Sequence, residues 1–353
     1  MWRSLLLAGL ITVSPAFCAA ADADDATVAA SPTGAAPVSH DEGPAAPPVT
    51  AHEEAPAGLP VSEVPGPKVA KRAIHKRTRH GGSSLQRAAY SKDDPQGLLL
   101  RSSAVLVIDQ EDGHPVYAKN TDSVQPIASI TKLMTAMVVL DAGLDLNESV
   151  TIDDADVDTI KNTHSRLRVG TVVRRGDLLR LALMASENRA AAALARAYPG
   201  GTPAFVARMN EHAAELGLSN THFNDSTGLS FENVSTPSDL AKMVQAAYQY
   251  PLIREYTTTP GLMLTMPNTG RSVTFNNTNR LVKNSDWHIG LQKTGFIRES
   301  GQCLVMQANI ATKPFVIVLL DAVGKYSRIA DAIRLRKWLE THVLVSASTV
   351  GRS

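Results

Sequence analysis

The chain predicts an α+β fold in which one antiparallel sheet is segregated from the helices. Three observations support this class. Two strand-like segments joined by a tight turn come first, helices fill the middle, and further strand-like segments with a closing helix come last. Residues 95–345 suffice for a single compact domain with a substantial core.

Residues 1–21 precede this domain with the pattern of an export signal. Arg3 provides a positive start, residues 5–13 form an apolar core, and residues 15–21 form a cleavage zone rich in small residues. The apolar core is too short to span a bilayer as a mature helix. We therefore expect a periplasmic protein, soluble or loosely attached to membrane or wall. Its single remaining cysteine, Cys303, allows no internal disulfide.

Residues 22–94 are rich in alanine, proline and small polar residues without an apolar period, which predicts a disordered tether. Residues 22–67 contain acidic residues but no Lys or Arg, whereas residues 68–80 form a basic run. This run is either a solvated linker or a weak electrostatic contact with anionic wall polymer or lipid head groups. The net charge of +1 gives no chain-wide case for binding nucleic acid.

The folded part is predicted to begin with a hairpin. Residues 104–109 form a continuous Val- and Ile-rich run, typical of a strand buried on both faces. Residues 110–113 have turn chemistry, and residues 115–119 form the returning strand. A helix is then predicted from Ser129 to Asp141, because apolar residues recur there at helical spacing.

The middle of the chain is predicted to be helical and its last part mainly strand. Predicted helices cover residues 176–184, 189–198, 202–216 and 235–250. Thr202 is the predicted N-cap of the third, and Gly217 its stop signal. Strands are predicted over residues 262–266, 272–275, 289–296, 303–310 and 315–321, a final helix over 324–343, and a flexible tail over 346–353.

Ser129 and Lys132 stand one helical turn apart, so the lysine amine can reach the serine hydroxyl. A hydroxyl becomes a good nucleophile when a base takes its proton. An amine does this at neutral pH when burial or neighbouring cations lower its pKa to about 7–8. The alternative is an N-capping serine beside a snorkelling lysine, and this pair alone leaves both interpretations open.

Two more short motifs follow in order. Ser186-Glu187-Asn188 interrupts two helices, where side chains can point into a cleft. Lys293-Thr294-Gly295 lies in a predicted strand, with the glycine where a substrate backbone could approach closely. Alone, the first motif could cap a helix and the second could face outward from an edge strand. The order and spacing of all three favour an active site between a helical subdomain and a sheet.

The three motifs together resemble the signature of the active-site-serine penicillin-recognising enzymes. The segments around them, residues 129–141, 181–190, 226–229 and 292–296, resemble low-molecular-mass penicillin-binding proteins, the S11-type serine D-Ala-D-Ala peptidases. Residues 198–201 and 233–236 are similar to an endopeptidase subgroup of that family. The resemblance covers about residues 104–339 and implies a β-lactamase/transpeptidase-like fold, with the active site in a cleft beside an inserted all-helical subdomain.

The resemblance also implies a role for each motif residue. Ser129 would form an acyl-enzyme after Lys132 takes its proton, and Ser186 would bridge Lys132 and Lys293 and protonate the leaving amine. Positive charge on Lys293 would keep Lys132 deprotonated. The residues implied in substrate binding are Asn188 for an amide, Lys293 and Thr294 for a carboxylate, Gly295, and Phe296, whose backbone N–H would join that of Ser129 in an oxyanion hole. No metal or other cofactor is required.

The expected function is a serine D,D-endopeptidase that hydrolyses D-alanyl-meso-diaminopimelyl cross-links between peptidoglycan stems and is covalently inhibited by β-lactams. The alternative is a D-alanyl-D-alanine carboxypeptidase that trims pentapeptide stems. Many such enzymes carry an extra β domain and an anchor, for which the chain leaves no room after its last predicted helix. The role of Glu187, which departs from the small or polar residue of many relatives, stays open.

Other classes fit less well. A rapidly deacylating β-lactamase would need Glu-x-x-x-Asn between Asn188 and Lys293, and that pattern does not occur in the sequence. The ten histidines form no His-Glu-x-x-His, which argues against a zinc peptidase. A non-catalytic penicillin sensor or wall-binding module would not need a paired nucleophile and base.

Overall fold

The computed structural model describes Asp94 and residues 97–350, with side chains to residue 342, so the predicted signal and tether lie outside the described residues. In chain order, the elements are β1 (Ser102–Asp109), β2 (Pro115–Lys119), β3 (Gln125–Pro126), α1 (Lys132–Asp141), β4 (Ser149–Thr151), β5 (Val172–Arg174), α2 (Arg175–Met184), α3 (Asn188–Arg196), α4 (Gly201–Glu215), β6 (Val234–Ser235), α5 (Pro237–Tyr248), α6 (Pro251–Thr258), β7 (Gly261–Thr265), β8 (Ser272–Asn276), β9 (His288–Ile297), β10 (Gly301–Ile310), β11 (Lys313–Ala322) and α7 (Ser327–Val350). Short 3-10 turns occupy Ala128–Thr131, Asp154–Asp156 and Arg280–Lys283.

A five-stranded antiparallel sheet in the order β2-β1-β11-β10-β9 confirms the predicted α+β class. The N-terminal hairpin pairs with the last three strands through β1 and β11, so the helical segment is inserted between the two parts of the sheet. Alternate residues of β1 enter different cores, as a doubly covered strand requires. Ala104 and Leu106 pack toward the inserted helices, whereas Val105 and Val107 pack toward the layer that contains α7.

Several helix boundaries differ from those predicted. The predicted helix over residues 235–250 begins instead at Pro237, because Thr236 is the N-cap and its Oγ1 accepts a hydrogen bond from the Asp239 amide. A further helix, α6, was missed; its threonine-rich end has low helix propensity. Thr202 does not cap α4, which begins at Gly201 after Gly200 in a left-handed conformation.

The last helix, α7, extends past its predicted end near residue 343 to Val350, because no glycine or proline interrupts the sequence before Gly351. It packs on the sheet through Ala332, Leu335 and Leu339. Within residues 97–350, no helix is both long and apolar enough to cross a membrane.

Candidate active site

Ser129 lies in the 3-10 turn that leads into α1, not in the α-helix itself. The N-cap positions of the turn and of the helix are Ile127 and Thr131, and neither helix start has a side-chain cap. The capping interpretation of Ser129 therefore receives no support. Its Oγ instead lies 2.8 Å from Nζ of Lys132 and 3.4 Å from the carbonyl oxygen of Thr227.

The Lys132 amine is fully buried and contacts three polar groups. Nζ lies 2.7 Å from Oδ1 of Asn188 and 2.6 Å from the carbonyl oxygen of Thr227, in addition to the Ser129 hydroxyl. A carbonyl or amide oxygen can only accept hydrogen bonds. A neutral amine, with two hydrogens, therefore donates both to Asn188 and Thr227 and directs its lone pair at the Ser129 hydroxyl. This is the geometry that a general base needs.

Burial lowers the pKa of Lys132 to about 7, against the opposing effect of the nearby carboxylates of Asp225, Glu187 and Asp158. The pKa of Lys293 also lies well below its ordinary value, first because of burial and then because Lys132 and Arg328 repel its charge. Desolvation, rather than the Lys293 charge invoked from the sequence, is thus the main reason for a neutral Lys132.

Ser186 joins α2 to α3 with a φ of +58°, a backbone conformation that non-glycine residues seldom adopt. Its Oγ accepts a hydrogen bond of 2.8 Å from Nζ of Lys293. The predicted bridge to both lysines is only half present, because the amine of Lys132 reaches Asn188 instead. Nδ2 of Asn188 donates to Oγ1 of Thr163 at 3.0 Å. Both the oxygen and the nitrogen of the Asn188 amide are therefore hydrogen-bonded within the protein.

Glu187, whose role the sequence left open, is nearly buried and holds the loop that contains Ser165 and Arg166. Its carboxylate accepts hydrogen bonds from Oγ of Ser165 at 2.9 Å and from the backbone N–H of Arg166 at 3.3 Å. The helix-capping alternative for this motif finds no support at the start of α3, where no side-chain cap is present.

Lys293 and Thr294 are buried although β9 is the last strand of the sheet, so the outward-facing interpretation is wrong. Oγ1 of Thr294 shares a 2.6 Å hydrogen bond with Oγ1 of Thr278. A Cβ on Gly295 would lie 2.8 Å from the carbonyl oxygen of Ile127. The absence of a side chain at Gly295 therefore lets the turn that contains Ser129 pack closely against β9. The Phe296 side chain is 57% exposed.

Two contributors to the site lacked a clear signal in the sequence. Asp225 accepts hydrogen bonds from Thr227, Gly228 and Ser230, which holds the Thr227 carbonyl against Lys132. Arg328, on α7, donates to the carbonyl of Gly295 at 2.6 Å. The first acts through a backbone atom, and the second is distant in sequence. The similarity of residues 226–229 to the family pointed to the loop that contains Thr227, but not to Asp225 itself.

Gly228 is the tightest contact between this loop and the Ser129 turn. Its φ is +80°, and a Cβ there would lie 2.0 Å from the carbonyl oxygen of Ala128. We expect Gly228→Ala to lower the free energy of unfolding by about 2–4 kcal/mol, from overpacking and left-handed strain. It should also slow acylation by penicillin at least tenfold, because the turn that carries Ser129 must move.

Gly170→Ala is the matched control for this prediction. Gly170 has a φ of +81°, but a Cβ there would meet nothing within 4 Å. The control therefore has the strain without the clash. Urea unfolding and the rate of labelling by fluorescent penicillin measure both effects. Equal acylation rates in the two variants would contradict the proposed packing role of Gly228.

Ser129, Asn188 and Phe296 line an open cleft. A cavity of about 460 Å³ contains Ser129 and Asn188 and extends to Phe296 and the turn after β9. Lys161 and Glu299 form an ion pair of 2.6 Å between two of its walls, with side chains 27% and 38% exposed. The volume is in the range of sites that hold small organic ligands.

A serine and a buried lysine on one wall, a second serine–lysine contact opposite, and an antiparallel sheet with inserted helices define the active-site-serine penicillin-recognising class. Comparison with known proteins is more specific. Residues 90–324 match the family model of peptidase S11, D-alanyl-D-alanine carboxypeptidase. The chain therefore belongs to the peptidase S11 family and is a serine hydrolase, as predicted.

Curated relatives and solved structures agree with this membership. The chain is 50% identical to a D-alanyl-D-alanine endopeptidase of Pseudomonas aeruginosa, over 69% of this chain and 78% of that protein. It is 47% identical to the D-alanyl-D-alanine endopeptidase of Escherichia coli K12, over 72% and 81%. The crystal structure of the Streptomyces K15 DD-transpeptidase aligns with a TM-score of 0.63 at 30% identity, covering 68% of this chain and 97% of that one. The predicted transpeptidase-like fold is confirmed.

Proposed function

We propose that this protein is a serine D,D-endopeptidase that hydrolyses D-alanyl-meso-diaminopimelyl cross-links of peptidoglycan and is covalently inhibited by β-lactams. The observation that carries the proposal is the contact of 2.8 Å between Oγ of Ser129 and Nζ of the buried Lys132. The relatives that are 50% and 47% identical to this chain are both named D-alanyl-D-alanine endopeptidase. These names support endopeptidase activity over carboxypeptidase activity.

The proposed reaction begins when Lys132 takes the Ser129 proton and Oγ attacks the D-alanine carbonyl carbon. The backbone N–H groups of Ser129 and Phe296 would stabilise the oxyanion. Ser186 then relays the proton that Lys132 took from Ser129 to the departing amine as the C–N bond breaks, which requires Ser186 to complete its bridge to Lys132. Water then releases the acyl group from Ser129.

The groups that hold the substrate are assigned by chemistry and position. Lys293 and Thr294, on β9, would bind the carboxylate next to the departing nitrogen, and Gly295 keeps that strand close to the Ser129 turn. Asn188 would exchange its hydrogen bond to Thr163 for one to a substrate amide. Peptidoglycan stems are the proposed substrate and β-lactams the proposed inhibitors. The signal pattern of residues 1–21 supports a periplasmic location.

Digestion of purified, cross-linked muropeptide dimers tests this function. We expect the protein to convert dimers into monomers, separated by chromatography and identified by mass, and the Ser129→Ala variant to leave them intact. Pentapeptide monomers provide the second arm of the experiment. Release of free D-alanine from pentapeptides without dimer cleavage would contradict the proposal and indicate a carboxypeptidase. Carboxypeptidase is the activity in the description of the matching family model.

A further inference from the structure

We propose that a second cavity, beside Ser186, binds the peptide stem that leaves with the amine when a cross-link is cut. This cavity, called the leaving-stem cavity below, has a volume of about 380 Å³. Its walls come from the loop at residues 164–166, from Ala185 and Glu187, and from Phe275 and Asn276. The inference rests on the proposed endopeptidase function and names the residues that adapt the cleft to it.

The location of the cavity relates it to the departing amine. Ala185 and Glu187, which line the cavity, are the neighbours in sequence of Ser186, the proposed proton donor to that amine. Asn276 lies two residues before Thr278, which is hydrogen-bonded to Thr294. The 460 Å³ cavity instead contains Ser129 and extends along β9 to Phe296, where the acyl group would lie. The two cavities therefore serve opposite sides of the bond that is cut.

The chemistry of the two reactions explains why such a cavity matters. A carboxypeptidase expels a single D-alanine, which the carboxylate-binding groups of β9 can hold alone. An endopeptidase expels an amine that carries a diaminopimelyl residue and the rest of a stem. Space beyond Ser186 is needed only in the second case.

The charges around the leaving-stem cavity suit a stem with free carboxylates. The Arg166 guanidinium is hydrogen-bonded to the carbonyl of Thr274 and lies 5.8 Å from the centre of the Phe275 ring, so a cation is fixed at one wall. Nζ of Lys283 donates to Oδ1 of Asn276 at 3.1 Å. The Glu187 carboxylate is the acidic group among the lining residues and is engaged by the loop. Charge-assisted hydrogen bonds to a stem carboxylate would favour the cross-linked substrate.

Filling the cavity tests the inference. Asn276→Trp places a large ring on the exposed face of β8 next to the cavity, and Ser272→Trp does the same four residues earlier on the same face, away from it. For each protein, kcat/KM for muropeptide dimer cleavage is divided by the rate constant for acylation by penicillin, which carries no second stem. We expect this ratio to fall at least tenfold in Asn276→Trp and to stay within twofold of wild type in Ser272→Trp.

A charge variant provides an independent test. Arg166→Gln should raise KM for the dimer several-fold with little change in kcat, whereas Arg168→Gln, outside the cavity lining, should leave KM unchanged. An unchanged ratio in Asn276→Trp would overturn the inference while leaving the proposed function intact. Equal fold losses for the dimer and for penicillin give this result as well. A wild-type protein that binds penicillin but leaves dimers uncut would refute the proposed function itself.

Discussion

Replacement of Ser129 by alanine is expected to abolish covalent labelling by fluorescent penicillin, with a loss in acylation rate of about 10⁴-fold or more. The substitution removes one oxygen atom and leaves the buried Lys132 amine with its contacts to Asn188 and Thr227. The fold should therefore survive while the acyl acceptor is lost. Gel fluorescence and intact-protein mass spectrometry measure the adduct. Ser219→Ala, at an exposed loop serine, should label like wild type.

This experiment also decides between two serine–lysine pairs in the cleft. Ser186 and Lys293 are separated by the same 2.8 Å as Ser129 and Lys132. The difference lies in the remaining partners. The Lys132 amine has two obligate acceptors besides its serine, whereas Lys293 has one, the Thr294 carbonyl. Peptide mapping of the penicillin adduct should locate it on Ser129. An adduct on Ser186 would reverse the assignment of nucleophile and proton donor.

The sequence predicted the strands and the motif clustering well, because both depend on short-range patterns. Apolar runs located β1, β10 and β11 to within a few residues. Ser129 and Lys132 are one helical turn apart in the sequence, so their side chains lie close together whatever the fold of the rest of the chain. Two-residue strands such as β3 and β6 carry no comparable pattern and emerge only from their pairing with each other.

Finer features of the site depend on contacts between distant segments. The left-handed conformation of Ser186 directs its hydroxyl to Lys293, and no local propensity favours that conformation for serine. The sequence indicated a close approach at Gly295 but not its partner, the carbonyl of Ile127. The acceptor provided by Thr227 is a backbone atom, so its residue type carries no information about it.

Lys132→Met is expected to slow acylation of Ser129 by about 10²–10⁴-fold, the usual contribution of a general base. Methionine fills the buried space without an amine, so the hydroxyl loses the group that takes its proton. The rate of penicillin labelling measures the loss. Lys242→Met, at an exposed lysine of α5, is the control and should label at the wild-type rate. A Lys132→Met protein that labels normally would exclude Lys132 as the base.

The pH dependence of labelling identifies the base more directly. Because the Lys132 pKa is lowered to about 7, the amine is mostly protonated below that pH and neutral above it. The wild-type acylation rate should rise with pH through about 7 and then level off, and this rise should be absent from Lys132→Met. Asp225→Asn removes a carboxylate that raises the Lys132 pKa and should move the rise to lower pH. A shift to higher pH would contradict this electrostatic role of Asp225, whatever the variant does to the maximal rate.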